Sequence, residues 1–207
     1  MPSVTKITKD MILDIAFLIT KESGFDAVSN REIAKRLNCS IRPIYYQFKN
    51  TEELKQELYN KIERYFYKFV FCDLNDDIPK YKQVGIKYIE FAKKEKNLFK
   101  LLFMSDSSYF MNDFISRDKE DYIMLNNFIR ESTNLKEGDA SKFHLLMWIF
   151  THGISTLVAC GTVKFSDEDI FDMLSYQFQA MMLLNDNPNN KWVFKNCKKE
   201  DGNNEKK

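Results

Sequence analysis

Backbone punctuation is scarce in this sequence. Its 207 residues include 6 Gly and 4 Pro, about 5% of the chain where roughly 12% is usual. Sandwiches and barrels need many turns, so this scarcity argues against either. Long apolar runs are missing too. The longest, such as Leu145-Leu146-Met147-Trp148-Ile149-Phe150, fall far short of the ~18 residues of a membrane span, so no membrane partner is expected. Residues 1–10 carry neither an apolar signal core nor a small-residue cleavage site, so no signal peptide is expected. Cys39, Cys72, Cys160 and Cys197 are far apart and form no CxxC pair. They are expected to stay reduced, in the cytoplasm, with no metal site and no cofactor. Excess charge is absent as well: 31 Lys and Arg face 30 Asp and Glu, a net +1. That rules out a uniformly basic coat but not a local basic surface. With 44% hydrophobic and 29% charged residues, the chain is globular.

What is present is helical periodicity, opened and closed by capping residues. Residues 8–23 carry Ile12, Ile15, Ala16 and Ile19 on one stripe, with Thr8 as N-cap and Gly24 as terminator. Ser29 and Glu32 form a capping-box pattern ahead of Ile33, Ala34 and Leu37. Asn38-Cys39-Ser40 then reads as a turn, Asn38 tolerating a left-handed backbone and Ser40 capping the next helix. That short helix, over 41–48, buries Ile44 and Phe48 and leaves Arg42, Tyr45, Tyr46 and Gln47 outward, with Pro43 biasing its start one residue later. Asn50 and Glu53 repeat the capping pattern and open a helix over 51–72, with Leu54, Leu58, Ile62, Tyr65 and Phe69 on its stripe. An acidic loop ends at Pro79.

The remainder predicts four or more helices. One carries Val84, Tyr88, Phe91 and Ala92, and others cover 98–104, 118–131, 140–163 and the stretch capped by Ser166. The 140–163 helix is apolar nearly all round, which predicts burial on both sides. Residues 1–50 are thus expected to form one domain, 51–74 a connecting helix, 75–185 a second helical domain, and 186–207 a loose tail.

A helix, a short turn and a second short helix with polar and aromatic groups outward is the plan of a helix-turn-helix, whose second helix fits a major groove about 12 Å wide. Gly24-Phe25, Ser29, Arg31-Glu32-Ile33-Ala34, Cys39-Ser40, Ile44-Tyr45-Tyr46-Gln47-Phe48 and Glu52-Glu53-Leu54 occur in order and without gaps. Residues 8–54 thereby resemble the DNA-binding domain of the TetR family of bacterial transcription regulators. Departures lie at Asn38, where that family usually has Gly, at Ile41-Arg42-Pro43, and at Thr51, where it has Lys. Trp148-Ile149-Phe150-Thr151-His152-Gly153 with Leu157 resembles the Trp–His-Gly signature of one group of that family's ligand domains. Together these imply an all-α protein: an N-terminal three-helix helix-turn-helix domain and a larger helical ligand-binding and dimerisation domain. The implied activity is sequence-specific DNA binding, repression above all, released by a small-molecule effector. The alternative is control by a protein partner, or by nothing.

The candidate DNA-contacting residues are Ser29, Ser40, Ile41, Arg42, Tyr45, Tyr46, Lys49 and Thr51. Arg42 suits a guanine or a phosphate. The tyrosines suit phosphates and thymine methyls, or one of them packs beneath the helix. Helix N-termini at Ser29 and Ser40 attract phosphates. Arg31 is expected to pair with an acid, and Lys6 and Lys9 to form an arm along the backbone or a solvated tail. Candidate ligand contacts are Tyr88, Phe103, Tyr122, Trp148 and Thr151, for a small apolar or aromatic effector. His144 and His152 lack a matched carboxylate pattern, which argues against metal binding or catalysis, and Gly153 suggests close helix packing. No nucleophile–base pair or Gly-rich phosphate loop occurs, so no enzyme is expected. One small helix-turn-helix reads few base pairs, so a homodimer on a pseudo-palindromic double-stranded operator, with half-sites about 34–36 Å apart, is expected.

Overall fold

The computed structural model describes residues 7–105, 120–133 and 135–185. Among them are nine α-helices, a short 3₁₀ turn at Phe25–Ala27, and no strand. The helices are α1 (Lys9–Ser23), α2 (Asn30–Arg36), α3 (Arg42–Gln47), α4 (Thr51–Phe71), α5 (Lys80–Lys94), α6 (Lys96–Met104), α7 (Glu120–Thr133), α8 (Glu137–Ala159) and α9 (Asp167–Asn185). The expected loose tail at 186–207, Lys6, and the predicted first two residues of α7 lie outside the described residues.

Local chemistry sets the helix ends. The Met11 N–H donates to Thr8 Oγ1, the Glu32 N–H to Ser29 Oγ and the Glu53 N–H to Asn50 Oδ1, each satisfying an amide that the first turn leaves open. The back-bonds differ from the expected capping boxes. Glu32 turns its carboxylate to Arg36 and Lys35, and Glu53 accepts from the Lys49 N–H rather than from Asn50. Ser166 and Asp169 do bond reciprocally at the start of α9. Helix α2 closes with Asn38 at φ 50°, the Asn38 and Cys39 N–H groups donating to Lys35 and Ala34 carbonyls. Helix α8 ends in the same way at Gly161, φ 73°. It therefore stops at Ala159, short of the predicted residue 163.

Helices α1, α2 and α3 pack together, with α1 also lying on α4 and α6. Helix α5 is central to the rest: α4, α6, α7, α8 and α9 all pack against it. The α4 stripe departs from expectation. Leu54, Leu58 and Ile62 are buried as predicted, but the fully buried positions beyond them are Phe66 and Val70. Tyr65 and Phe69 are half-buried, edged by Phe17 and Phe91. The shift arises because α4 changes neighbours along its length, from α1 to α5 and α6. Phe66 is caged by Phe91, Phe103 and Tyr88, with ring centroids 5.1, 5.0 and 5.7 Å away. Helix α8 is not buried all round within one chain: Ile149 and Leu157 are exposed, and a Cβ on Gly153 would meet nothing within 4 Å, so the expected close approach there is absent.

Candidate functional site

Helix α3 is only six residues long and is held by two side chains. Ile44 and Phe48 are almost completely buried, 1% and 3% exposed. At α-helical spacing this pins one face and frees the other. Arg42 is exposed, Ile41 is 41% exposed, and Tyr45 and Tyr46 are 56% and 83% exposed. Both tyrosines therefore point outward, and neither packs beneath the helix. Gln47 turns sideways, its Nε2 donating to the Ile7 carbonyl at 3.3 Å. The helix starts at Arg42 with Pro43 in its first turn, and Ile41 is the residue at its N-cap. Ser40 does not cap it, because it stands one residue before the N-cap position, which Ile41 occupies.

Ser29, Ser40 and Lys49 are exposed around this surface and Thr51 is half-buried at the start of α4. Arg31 is exposed and, against expectation, has no ion pair among the described residues, because Glu32 and Glu22 are engaged by Arg36. Lys9 is withdrawn from the expected arm: it pairs with Glu57 and lies 5.1 Å from the centre of the Phe48 ring.

A second feature lies in the C-terminal half. A cavity of about 240 Å³ opens between α4, α5, α7, α8 and α9. Its apolar wall includes Phe66, Val70, Val84, Leu125, Met147 and Leu174. Tyr88, Trp148 and Thr151 line it. Phe103 and Tyr122 do not: Phe103 is drawn into the ring cluster of Phe66, Tyr88 and Phe99, and Tyr122 lies against His144 from outside the wall. Tyr81, Lys82 and His144 were not anticipated. A signal existed: His144, Trp148 and Thr151 are spaced i, i+4, i+7, on one helical face. Gly85 also marks the wall, since a Cβ there would stand 3.4 Å from Leu174.

Two tyrosine–histidine hydrogen bonds tie α5 to α8. Tyr81 Oη and His144 Nδ1 are 3.1 Å apart, and Tyr88 Oη and His152 Nδ1 are 3.0 Å apart. His152 also stacks on Trp148, with centroids 5.1 Å apart. Burial pushes the His144 pKa down to about 4 and lowers that of His152. Burial likewise raises the phenol pKa of both tyrosines. Both imidazoles are therefore neutral at pH 7, as packing groups. No cluster of three or more metal-ligating side chains occurs among the described residues.

A chain of contacts runs from the cavity wall to α1. Phe66 and Val70 of α4 form part of the cavity wall. Their neighbour Tyr65 donates to Glu95 Oε1 at 3.1 Å, and the same oxygen accepts from Lys21 Nζ of α1 at 2.6 Å. Glu95 is 6% exposed, and its hydrogen bond holds the Lys21 ammonium above its ordinary pKa range. Asn97 Nδ2 adds a bond to the Lys21 carbonyl.

Residues 12–58, from α1 into α4, match the family model described as bacterial regulatory proteins, tetR family. A curated relative, the biofilm operon icaADBC HTH-type negative transcriptional regulator IcaR of Staphylococcus epidermidis, is 28% identical over 101 residues. That match covers 49% of this chain, and the chain spans about half the length of that relative. Among solved structures, a TetR-family transcriptional regulator from Vibrio parahaemolyticus is similar at TM-score 0.56 and 20% identity, covering 83% of this chain and 97% of that one. A transcriptional regulator from Rhodococcus sp. Rha1 is similar at TM-score 0.52 and 13% identity, covering 86% and 97%. At those identities the likeness concerns the fold alone, an N-terminal helix-turn-helix followed by a larger helical unit. The segment from α1 into α4 is thus similar to the tetR family of bacterial regulatory proteins, and the helical fold is similar to those of these solved regulators.

Proposed function

We propose that this protein is a transcriptional repressor that binds a pseudo-palindromic operator as a homodimer and releases it when a small apolar or aromatic molecule enters the C-terminal cavity. Residues 1–50 act as the reading head, 51–74 as the connecting helix, and 75–185 as the effector and dimerisation unit. One observation carries the reading: Arg42, Tyr45 and Tyr46 stand exposed on a short helix whose opposite face is locked by Ile44 and Phe48. Such a probe presents base-reading and phosphate-bonding groups without losing its own anchorage. Ser29, Ser40, Ile41, Lys49 and Thr51 flank it and add phosphate contacts. Exposed Ile149 and Leu157 on α8, with Tyr176, Leu183 and Leu184 on α9, supply an apolar face for the partner subunit. The Trp148–His152–Gly153 pattern supports the reading of this half as a ligand domain.

Tyr88, Trp148 and Thr151 are proposed as effector contacts, and the apolar cavity favours a small molecule over a protein partner as the controlling signal. In this mechanism the effector moves α4 through Phe66 and Val70, and the Tyr65–Glu95–Lys21 chain carries the shift to α1. It acts only to the extent that it binds the released conformer more tightly. The direct test measures affinity for DNA flanking the protein's own gene. Arg42→Ala and Tyr45→Ala dimers are each expected to lose about tenfold or more, the scale of a lost base or phosphate contact of roughly 1–3 kcal/mol. Wild-type binding by both variants would remove the assignment of α3 as the reading helix.

A further inference from the structure

The chemistry of the cavity's occupant can be narrowed from the charge on its wall. None of the lining residues is an Asp or Glu, and one, Lys82, is a cation. Lys82 lies in the first turn of α5 and reaches across to α9. Its ammonium donates to Ser175 Oγ and lies 2.9 Å from the centre of the Phe171 ring. It makes no ion pair with a carboxylate among the described residues, although the field of the nearby Asp172 favours its charged form. Partial burial works against that charge, lowering the Lys82 pKa from its ordinary value. An ammonium carries three donors, and Ser175 accepts from one of them. The remaining polar groups of the wall are largely committed elsewhere: Tyr81 to His144, Tyr88 to His152, and the Thr151 hydroxyl to the Met147 carbonyl. Gln179 stands one helical turn beyond Ser175 on the same wall. The cavity is thus apolar in its body and cationic at one point.

We infer that the effector is a small monocarboxylic acid, its carboxylate meeting Lys82 and its apolar body lying among Phe66, Tyr88 and Trp148. This rests on the cavity being the effector site. A carboxylate supplies the anionic acceptor that the wall itself lacks, and an ammonium–carboxylate contact there is charge-assisted and partly shielded from water. An amine would meet a cation, with no acid among the lining residues to receive it. Size narrows the class further. The volume of about 240 Å³ falls between the roughly 150 Å³ that accepts benzene and the roughly 300 Å³ at which drug-sized sites begin. That fits one aromatic ring or a branched aliphatic chain, about ten non-hydrogen atoms with the acid group included.

The test uses three molecules of nearly equal shape: phenylacetate, 2-phenylacetamide and 2-phenylethylammonium. Calorimetric titration of the full chain is expected to rank them in that order, with phenylacetate about tenfold tighter than the amide, the scale of one charge-assisted hydrogen bond. Lys82→Met is expected to bring acid and amide level, and Lys82→Arg to keep the preference. Gly85→Met, which fills the cavity beside Leu174, is expected to abolish binding of all three. Where that variant fails to melt cooperatively, Thr151→Met fills the space from the opposite wall. Equal binding of acid and amide by the wild type, or a preference that survives Lys82→Met, overturns the carboxylate inference and leaves the cavity standing as the site. Failure of all three to bind, or binding that survives both filling variants, overturns the cavity as well.

Discussion

Two pairs of tyrosines divide the molecule. Tyr45 and Tyr46 on α3 hold their rings in water, while Tyr81 and Tyr88 on α5 are buried and each shares a hydrogen bond with a histidine of α8. The difference comes from the number of neighbours a helix has. Helix α3 leans on its scaffold through Ile44 and Phe48 and has a free face. Helix α5 is packed by five others and has almost none. In the first setting an aromatic phenol is left available to an incoming partner. In the second it must satisfy its hydroxyl internally, because an unpaired one would cost roughly 1–3 kcal/mol.

Truncation tests that contrast most strongly. Phe66→Ala, inside the ring cage, is expected to destabilise the fold by about 3–5 kcal/mol in urea unfolding. Tyr46→Ala removes an equally large ring and is expected to change stability by less than about 0.5 kcal/mol, because that ring is already in water. Comparable losses for the two would break the distinction.

Acidification comes next. The His144 pKa is about 4 in the folded chain against an ordinary 6.5, so between those values the unfolded chain binds more protons. Stability is then complete above pH 6.5 and falls as the pH drops toward 4, with His152 adding in the same direction. Between pH 7 and pH 5 the loss is expected to be on the order of 2 kcal/mol, read from urea midpoints. His144→Phe should flatten most of that slope, and an unchanged slope would show that the imidazole is not sealed in.

The smallest effect sharpens the comparison. Tyr88→Phe removes the phenol from the part-buried His152 Nδ1 and is expected to cost about 0.5–1.5 kcal/mol in stability. Tyr46→Phe is expected to leave the melting temperature unchanged and to register only in operator affinity.

The same division explains what could be read from the sequence. Helix starts at Thr8, Ser29, Asn50 and Ser166 depend on a side chain and an amide three residues away, so they are visible in a short window. The outward set on α3 is dictated by two apolar residues four apart. The cavity needs about two turns of α8, three of α5 and parts of α4, α7 and α9 to meet, and no local pattern reports that. Trp148 and Thr151 were legible on α8, but Lys82 lies more than 60 residues before them and Leu174 more than 20 after, on other helices. Arg31 was misread for a similar reason: the acids expected to claim it are taken by Arg36, reaching from a turn later to Glu22 on α1. Burial of α8 on both sides was only half legible within one chain, because apolarity predicts burial without saying whether the cover comes from the same chain.

Helix α4 carries Leu54 near the reading head and Phe66 and Val70 at the cavity wall. At 1.5 Å per residue its 21 residues form a rod of about 30 Å. A tilt of only about 6° about one end sweeps the other through about 3 Å. That is close to one base-pair step of about 3.4 Å. Under the proposed mechanism, a displacement too slight to disturb packing around an occupant would thus be magnified into a whole step of misregister along the duplex.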